Sequence, residues 1–119
     1  MPTSVSRIPL SGSTHGRAIK VAATATAGTL IHTGTSSTTD CDVVTLYAYN
    51  SSASAVNLTI EWGGVSDPDD LIKLSIPATS GLTLVAPDLV IRNSLVVRAF
   101  AGTTNVVTIQ GFVNRVATT

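Results

Sequence analysis

The stretch "VNLTIEW", residues 56–62, alternates apolar and polar residues without a slip. Val56, Leu58, Ile60 and Trp62 fall on one side, with Asn57, Thr59 and Glu61 on the other. A period of two belongs to a strand with one face in a core, whereas a helix needs apolar positions three and four apart. "LIKLSIP" repeats the pattern, setting Ile72, Leu74 and Ile76 against Lys73 and Ser75. "NVVTIQGFVN" sets Val107, Ile109, Gly111 and Val113 against Thr108, Gln110 and Asn114. No window supports an amphipathic helix.

Alternation and turn chemistry together predict strands near 19–24, 28–33, 42–49, 56–63, 70–76, 82–86, 94–101 and 105–116. The gaps read as turns, among them "NSSAS", "GGVSDPDD", "PATSG", "APD" and "AGTTN". Short strands at this spacing make an all-β fold, a single antiparallel sandwich of about eight strands. Its connections are of jelly-roll or Greek-key type, and the pattern does not separate a jelly roll from an immunoglobulin-like order. Residues 1–18 carry Pro2 and Pro9, scattered Ser and Thr, and no sustained period. They are expected as an extended N-terminal arm, with the sandwich over 19–119.

Composition narrows the class of function. Of the 119 residues, 44% are hydrophobic but only 12% are charged, about half the usual charged share. A surface so poor in charge suits burial against neighbouring subunits. Seven basic residues balance seven acidic ones, so no basic stripe exists to drive counterion release on nucleic acid. No apolar run reaches the ~20 residues that span a bilayer. The opening "MPTSVSRIPLSGSTHGR" has no apolar h-region, so synthesis in a reducing cytoplasm is expected. The single Cys41 excludes an internal disulfide. Its neighbours Asp40 and Asp42 would disfavour a thiolate, which argues against a cysteine nucleophile.

Several residues are candidates for chemistry. "EWGGVSDPDD", residues 61–70, gathers Asp67, Asp69 and Asp70, and hard cations favour acidic loops. The spacing lacks the calcium-loop pattern, and Asp67-Pro68-Asp69 already reads as a turn. No metal or other cofactor is therefore expected. Trp62 with Tyr47 and Tyr49 could form a sugar-stacking platform, but Trp62 alternates in phase with the core residues of its strand. His32 has Ser36 and Asp40 nearby in sequence, yet no G-x-S-x-G elbow is present. His32 is expected at the surface or an interface, His15 carries no motif, and no enzyme is expected. Asn50-Ser51-Ser52 and Asn57-Leu58-Thr59 match the glycosylation sequon, which arises easily in a Ser/Thr-rich chain. Arg98, in phase with Val96 and Phe100, gives a mixed strand face of the kind enriched at subunit contacts. Contacts are expected from Arg7, Ile8, Leu10 and Arg17 on the arm, and from Tyr47, Tyr49, Arg98 and Phe100 on the strands.

"LYAYNSSASAVNLTIEWGG", "IPATSGLTLV" and "LVVRAFAGTTNVVTIQGFVNRV" resemble small tailed-bacteriophage virion proteins of the head-decoration (cement) type. The shared pattern is the run Ser54–Ile60, the strand exit Ile76–Ala78, and the closing strand Asn105–Arg115. The resemblance spans about residues 19–116 and carries no site motif. It implies a non-enzymatic homo-oligomer, usually a trimer, made in the host cytoplasm. Such a subunit sits on the outer capsid surface, bound to the major capsid protein without nucleic acid or membrane. A tail, baseplate or fibre-tip subunit, and a carbohydrate-binding sandwich module, are the alternatives.

Overall fold

The computed structural model describes residues 3–118, and the side chains of 3–117. Met1 and Pro2 of the expected arm, and Thr119 of the expected sandwich, lie outside the described residues. The strands are β1 (Thr3–Pro9), β2 (Ile19–Lys20), β3 (Thr29–Thr33), β4 (Cys41–Asn50), β5 (Val56–Trp62), β6 (Leu71–Ile76), β7 (Thr83–Ile91), β8 (Val96–Ala101) and β9 (Val107–Thr118). No helix occurs among the described residues.

Two antiparallel sheets stack face to face. Sheet A runs β1-β9-β4-β7, with β2 beside β9 in line with β1, and sheet B runs β3-β8-β5-β6. The pairs nest: β5 with β6, β4 with β7, β3 with β8, and β2 with β9. A long hairpin folded over on itself gives this nesting, and it is the jelly-roll form of the sandwich. The two-residue period fills the space between the sheets. Val44, Leu46, Ala48, Ile109 and Val113 enter from sheet A, and Ile31, Leu58, Ile60, Ile76, Val97 and Ala99 from sheet B.

Where the structure departs from the sequence expectation, local hydrogen bonding explains it. Residues 3–9 of the expected arm are extended and lie along β9 as β1, from Thr3 opposite Thr118 to Pro9 opposite Phe112. Leu10 is fully buried in the core. The strand expected over 19–24 stops at Lys20 because the chain there changes sheets. Val21 N–H bonds the Val107 carbonyl, while the Ala23 carbonyl accepts from Ala101 N–H. The N–H groups of Ala22 and Ala23 turn to Thr29 Oγ1.

The "APD" turn does not form; β7 runs through Pro87 and Asp88. Asp88 takes φ 47°, and the register against β4 shifts on either side of Leu46. Thr45 Oγ1 accepts from Asp88 N–H at 3.2 Å and donates to Asp88 Oδ1 at 3.1 Å. β7 is an edge strand, where a proline costs no inner ladder bond and a bulge absorbs the extra residue. Gly111, by contrast, sits in the inner strand β9 against β4. A Cβ there would run into the Thr45 carbonyl oxygen.

Candidate interaction faces and a buried polar cluster

Each sheet turns one face to the core and the other outward, and the two outward faces differ. On sheet A the outward rows are Val5–Val116–Cys41, Arg7–Asn114–Val43–Val90, Pro9–Phe112–Thr45, and Gln110–Tyr47–Leu84. Val5, Leu84 and Val90 are 63%, 49% and 56% exposed, and Leu82, just before β7, is 55% exposed. Aromatic rings lie between them. The Arg7 guanidinium stands 4.4 Å over the centre of the Phe112 ring, and its Nε donates to Asn114 Oδ1 at 3.0 Å. Cation–π contact and the hydrogen bond occupy this charge on the face itself.

Tyr47 and Tyr49 share this face, half-buried and in phase with Val43 and Thr45. Trp62 does not join them. Its ring packs against the core from sheet B, with Nε1 donating toward the Val90 carbonyl at 3.4 Å. The three aromatics thus form no common platform. Of the residues expected to meet a partner, Arg7, Tyr47 and Tyr49 lie on sheet A's outer face. Arg98 and Phe100 lie on the outer face of sheet B, beside Glu61 and Thr59 respectively. Arg17 is exposed in the segment between β1 and β2. Ile8 is partly buried against the core and Leu10 fully so, which removes Leu10 from any partner contact: the inward phase of the first segment ends inside the sandwich.

His32 is not a surface residue. It is buried on β3 and joins Asp42 of β4 and Arg115 of β9 in one cluster. The ring nitrogen Nδ1 accepts the backbone N–H of Ser11 at 3.0 Å. An accepting nitrogen carries no proton, so Nε2 bears it and donates to Asp42 Oδ2 at 2.8 Å. Thr35 N–H also donates to Oδ2, at 3.0 Å. Arg115 completes the cluster as a bidentate clamp, Nε to Oδ1 at 2.7 Å and Nη2 to Oδ2 at 2.9 Å. Burial pushes the Asp42 carboxyl up, but the hydrogen bonds and charges of Arg115 and His32 together hold it below the usual aspartate value. The same hydrogen bond raises the Arg115 guanidinium above its ordinary value, against a smaller effect of burial.

Ser11, His32 and Asp42 do not form a nucleophile–base arrangement. The imidazole takes the serine's main-chain N–H, and the serine hydroxyl accepts from Thr33 N–H at 2.7 Å. The cluster is a clasp that ties the end of β1 to β3, β4 and β9. Cys41 and Asp42 point to opposite faces of β4, so the Asp42 carboxylate is turned away from the thiol.

A second buried acid lies on β5. Glu61, on the outward phase of its strand, is covered by the β2–β3 connection: its Oε1 accepts Gly28 N–H and its Oε2 accepts Thr26 Oγ1–H, both at 2.7 Å. Arg98 sits opposite in register. The acidic loop that follows is a turn. Asp70 Oδ2 accepts Ser66 N–H at 3.1 Å, and Asp67 pairs with Lys73 at 3.0 Å. Among the described residues no group of three or more His, Cys, Asp or Glu side chains is placed to hold a metal. Asn50, the first sequon asparagine, is fully buried. Its Nδ2 donates to the carbonyls of Ser54 and Ile76, and its Oδ1 accepts from Ser52 N–H and Oγ–H. It organises the β4–β5 turn and offers no amide to a glycosyl donor.

Comparison of the chain with family models, with curated proteins and with solved structures finds no match.

Proposed function

We propose that this chain is a non-enzymatic structural subunit of a tailed-phage virion, of the head-decoration type, docking through the outer face of sheet A. Its partners are further copies of itself and the major capsid protein, and its place is the outer surface of the shell. One observation carries the reading: Val5, Leu82, Leu84 and Val90 expose large apolar side chains on one side of the molecule, with Tyr47, Tyr49 and Phe112 between them. Exposed apolar side chains interleaved with aromatic rings and an arginine have the composition of protein contact sites. The interior supports it. The acids Asp42 and Glu61 are buried as structural anchors rather than presented to a substrate. Repetition of one modest interface around a shell multiplies its strength by avidity.

The test adds labelled protein to heads of the virus that encodes it, stripped of this subunit, and follows co-sedimentation. Wild-type protein should saturate the heads. The double variant Leu84→Glu/Val90→Glu should remain in the supernatant while keeping its melting temperature, since both side chains are exposed. Wild-type protein that stays free of heads, or a double variant that binds like wild type, overturns the proposal.

A further inference from the structure

The outer face of sheet B holds a groove of about 590 Å³, within the ~300–1,000 Å³ range of small-molecule sites. Its floor is a cross-strand row, Lys73 of β6, Thr59 of β5 and Phe100 of β8, with Ser75 and Asn57 forming the next row. Strands stand about 4.8 Å apart, so Lys73 and Phe100 flank Thr59 at roughly 10 Å from each other. Asp67 closes one end through its ion pair with Lys73.

Three features define what would fit. Among the described residues the Asn57 amide and the hydroxyls of Thr59 and Ser75 make no side-chain hydrogen bond, with Thr59 almost fully buried on the groove floor. Elsewhere the polar side chains of Asn50, Ser52 and Thr45 are all engaged. The one cation in the groove is matched by the one carboxylate, so the lining is neutral and no phosphate or other anion finds a free positive charge. The half-buried Phe100 ring supplies a single flat apolar surface beside those donors and acceptors. A peptide adding as a strand would seek the open edge of β6 rather than a sheet face.

The geometry points to a binding site for a short neutral saccharide in this groove. One sugar ring lies on Phe100, with its hydroxyls on Asn57, Thr59 and Ser75. The site lies on the opposite sheet from the proposed docking face and does not depend on that reading: a docked subunit would hold it away from sheet A's contact. It also differs from a platform of Trp62, Tyr47 and Tyr49, which the fold scatters.

The experiment is an amide-shift titration of the whole protein by NMR with neutral trisaccharides, namely maltotriose, cellotriose, mannotriose and chitotriose, and with sialyllactose as the charged control. At least one neutral sugar at millimolar concentration should move the amides of Asn57, Thr59, Lys73, Ser75 and Phe100, and leave those of Tyr47 and Tyr49 in place. Phe100→Ala should weaken that binding about tenfold, as loss of one stacked ring does. Asn57→Ala, at an exposed position, should weaken it too, and serves alone if Phe100→Ala lowers the melting temperature. The inference is overturned if no neutral sugar moves these amides, if only sialyllactose does, or if both variants bind like wild type.

Discussion

Asp42 and Asp67 are both aspartates paired with a cation, yet they sit at opposite extremes of burial. Asp42 is 0% exposed, with Arg115 clamped on both oxygens and His32 beside them. Asp67 is 59% exposed, and its partner Lys73 is 57% exposed. In the first case, taking away the carboxylate strands an imidazole N–H, a guanidinium and the Thr35 N–H. In the second, water replaces everything the partner supplied. The energy of a charge pair therefore follows from what remains after one member is removed, more than from the distance between them.

That contrast can be broken by mutation. Asp42→Ala should cost about 3–5 kcal/mol in chemical denaturation, the usual effect of breaking a buried pair. A loss below ~1 kcal/mol would mean that water reaches the cluster and that it behaves like a surface pair. Next in size is Glu61→Ala, which leaves Gly28 N–H and the Thr26 hydroxyl without their acceptor. A loss of about 1.5–3 kcal/mol is expected, together with faster amide exchange through the β2–β3 connection.

Acid should act through Asp42. Its carboxyl is held below the ordinary value in the fold and relaxes to about 3.9 in the unfolded chain. Unfolding therefore takes up a proton in that range. The stabilisation is complete above pH ~4 and is lost as pH falls through the lower folded value. A melting-temperature series in acid should show the wild type losing stability there, and Asp42→Asn losing less. Equal slopes for the two proteins would remove Asp42 from the account. The smallest effect is Lys73→Ala, which should change stability by no more than about 0.5 kcal/mol.

The same pair of aspartates shows what the sequence discloses. Alternation placed the inward residues correctly on β5, β6 and β9, because burial of one strand face leaves a period that no side-chain detail can hide. The acidic loop drew notice because its charges are adjacent in sequence, and it proved to be a turn. Asp42 entered only as a neighbour of Cys41, although it shares its phase with Val44, Leu46 and Ala48. An acid in the inward phase of a strand was the available signal. What alternation could not supply was the partner: His32 and Arg115 reach Asp42 only through pairings that join β3, β4 and β9 across the chain. The bulge at Pro87–Asp88 was hidden for a similar reason, since edge position depends on topology and not on the local residues. The groove on sheet B needed both, as Phe100, Thr59 and Lys73 become neighbours only by register.

The nested order of the pairs also dictates when each part of the molecule can come into being. Ile60 finds Ile72 across one short turn, whereas Ile19 must find Ile109 across nearly the whole chain. The loop-closure cost rises from the inner pair outward, and topologies of this kind are slow to form. β9 is central to sheet A, with β1 and β2 on one side and β4 on the other. While the ribosome is still short of β9, β4 has one bare edge, and the first strands have nowhere to lie. The half-made chain is thus a β-protein with a long inner strand edge bare, and the arrival of a single strand covers it.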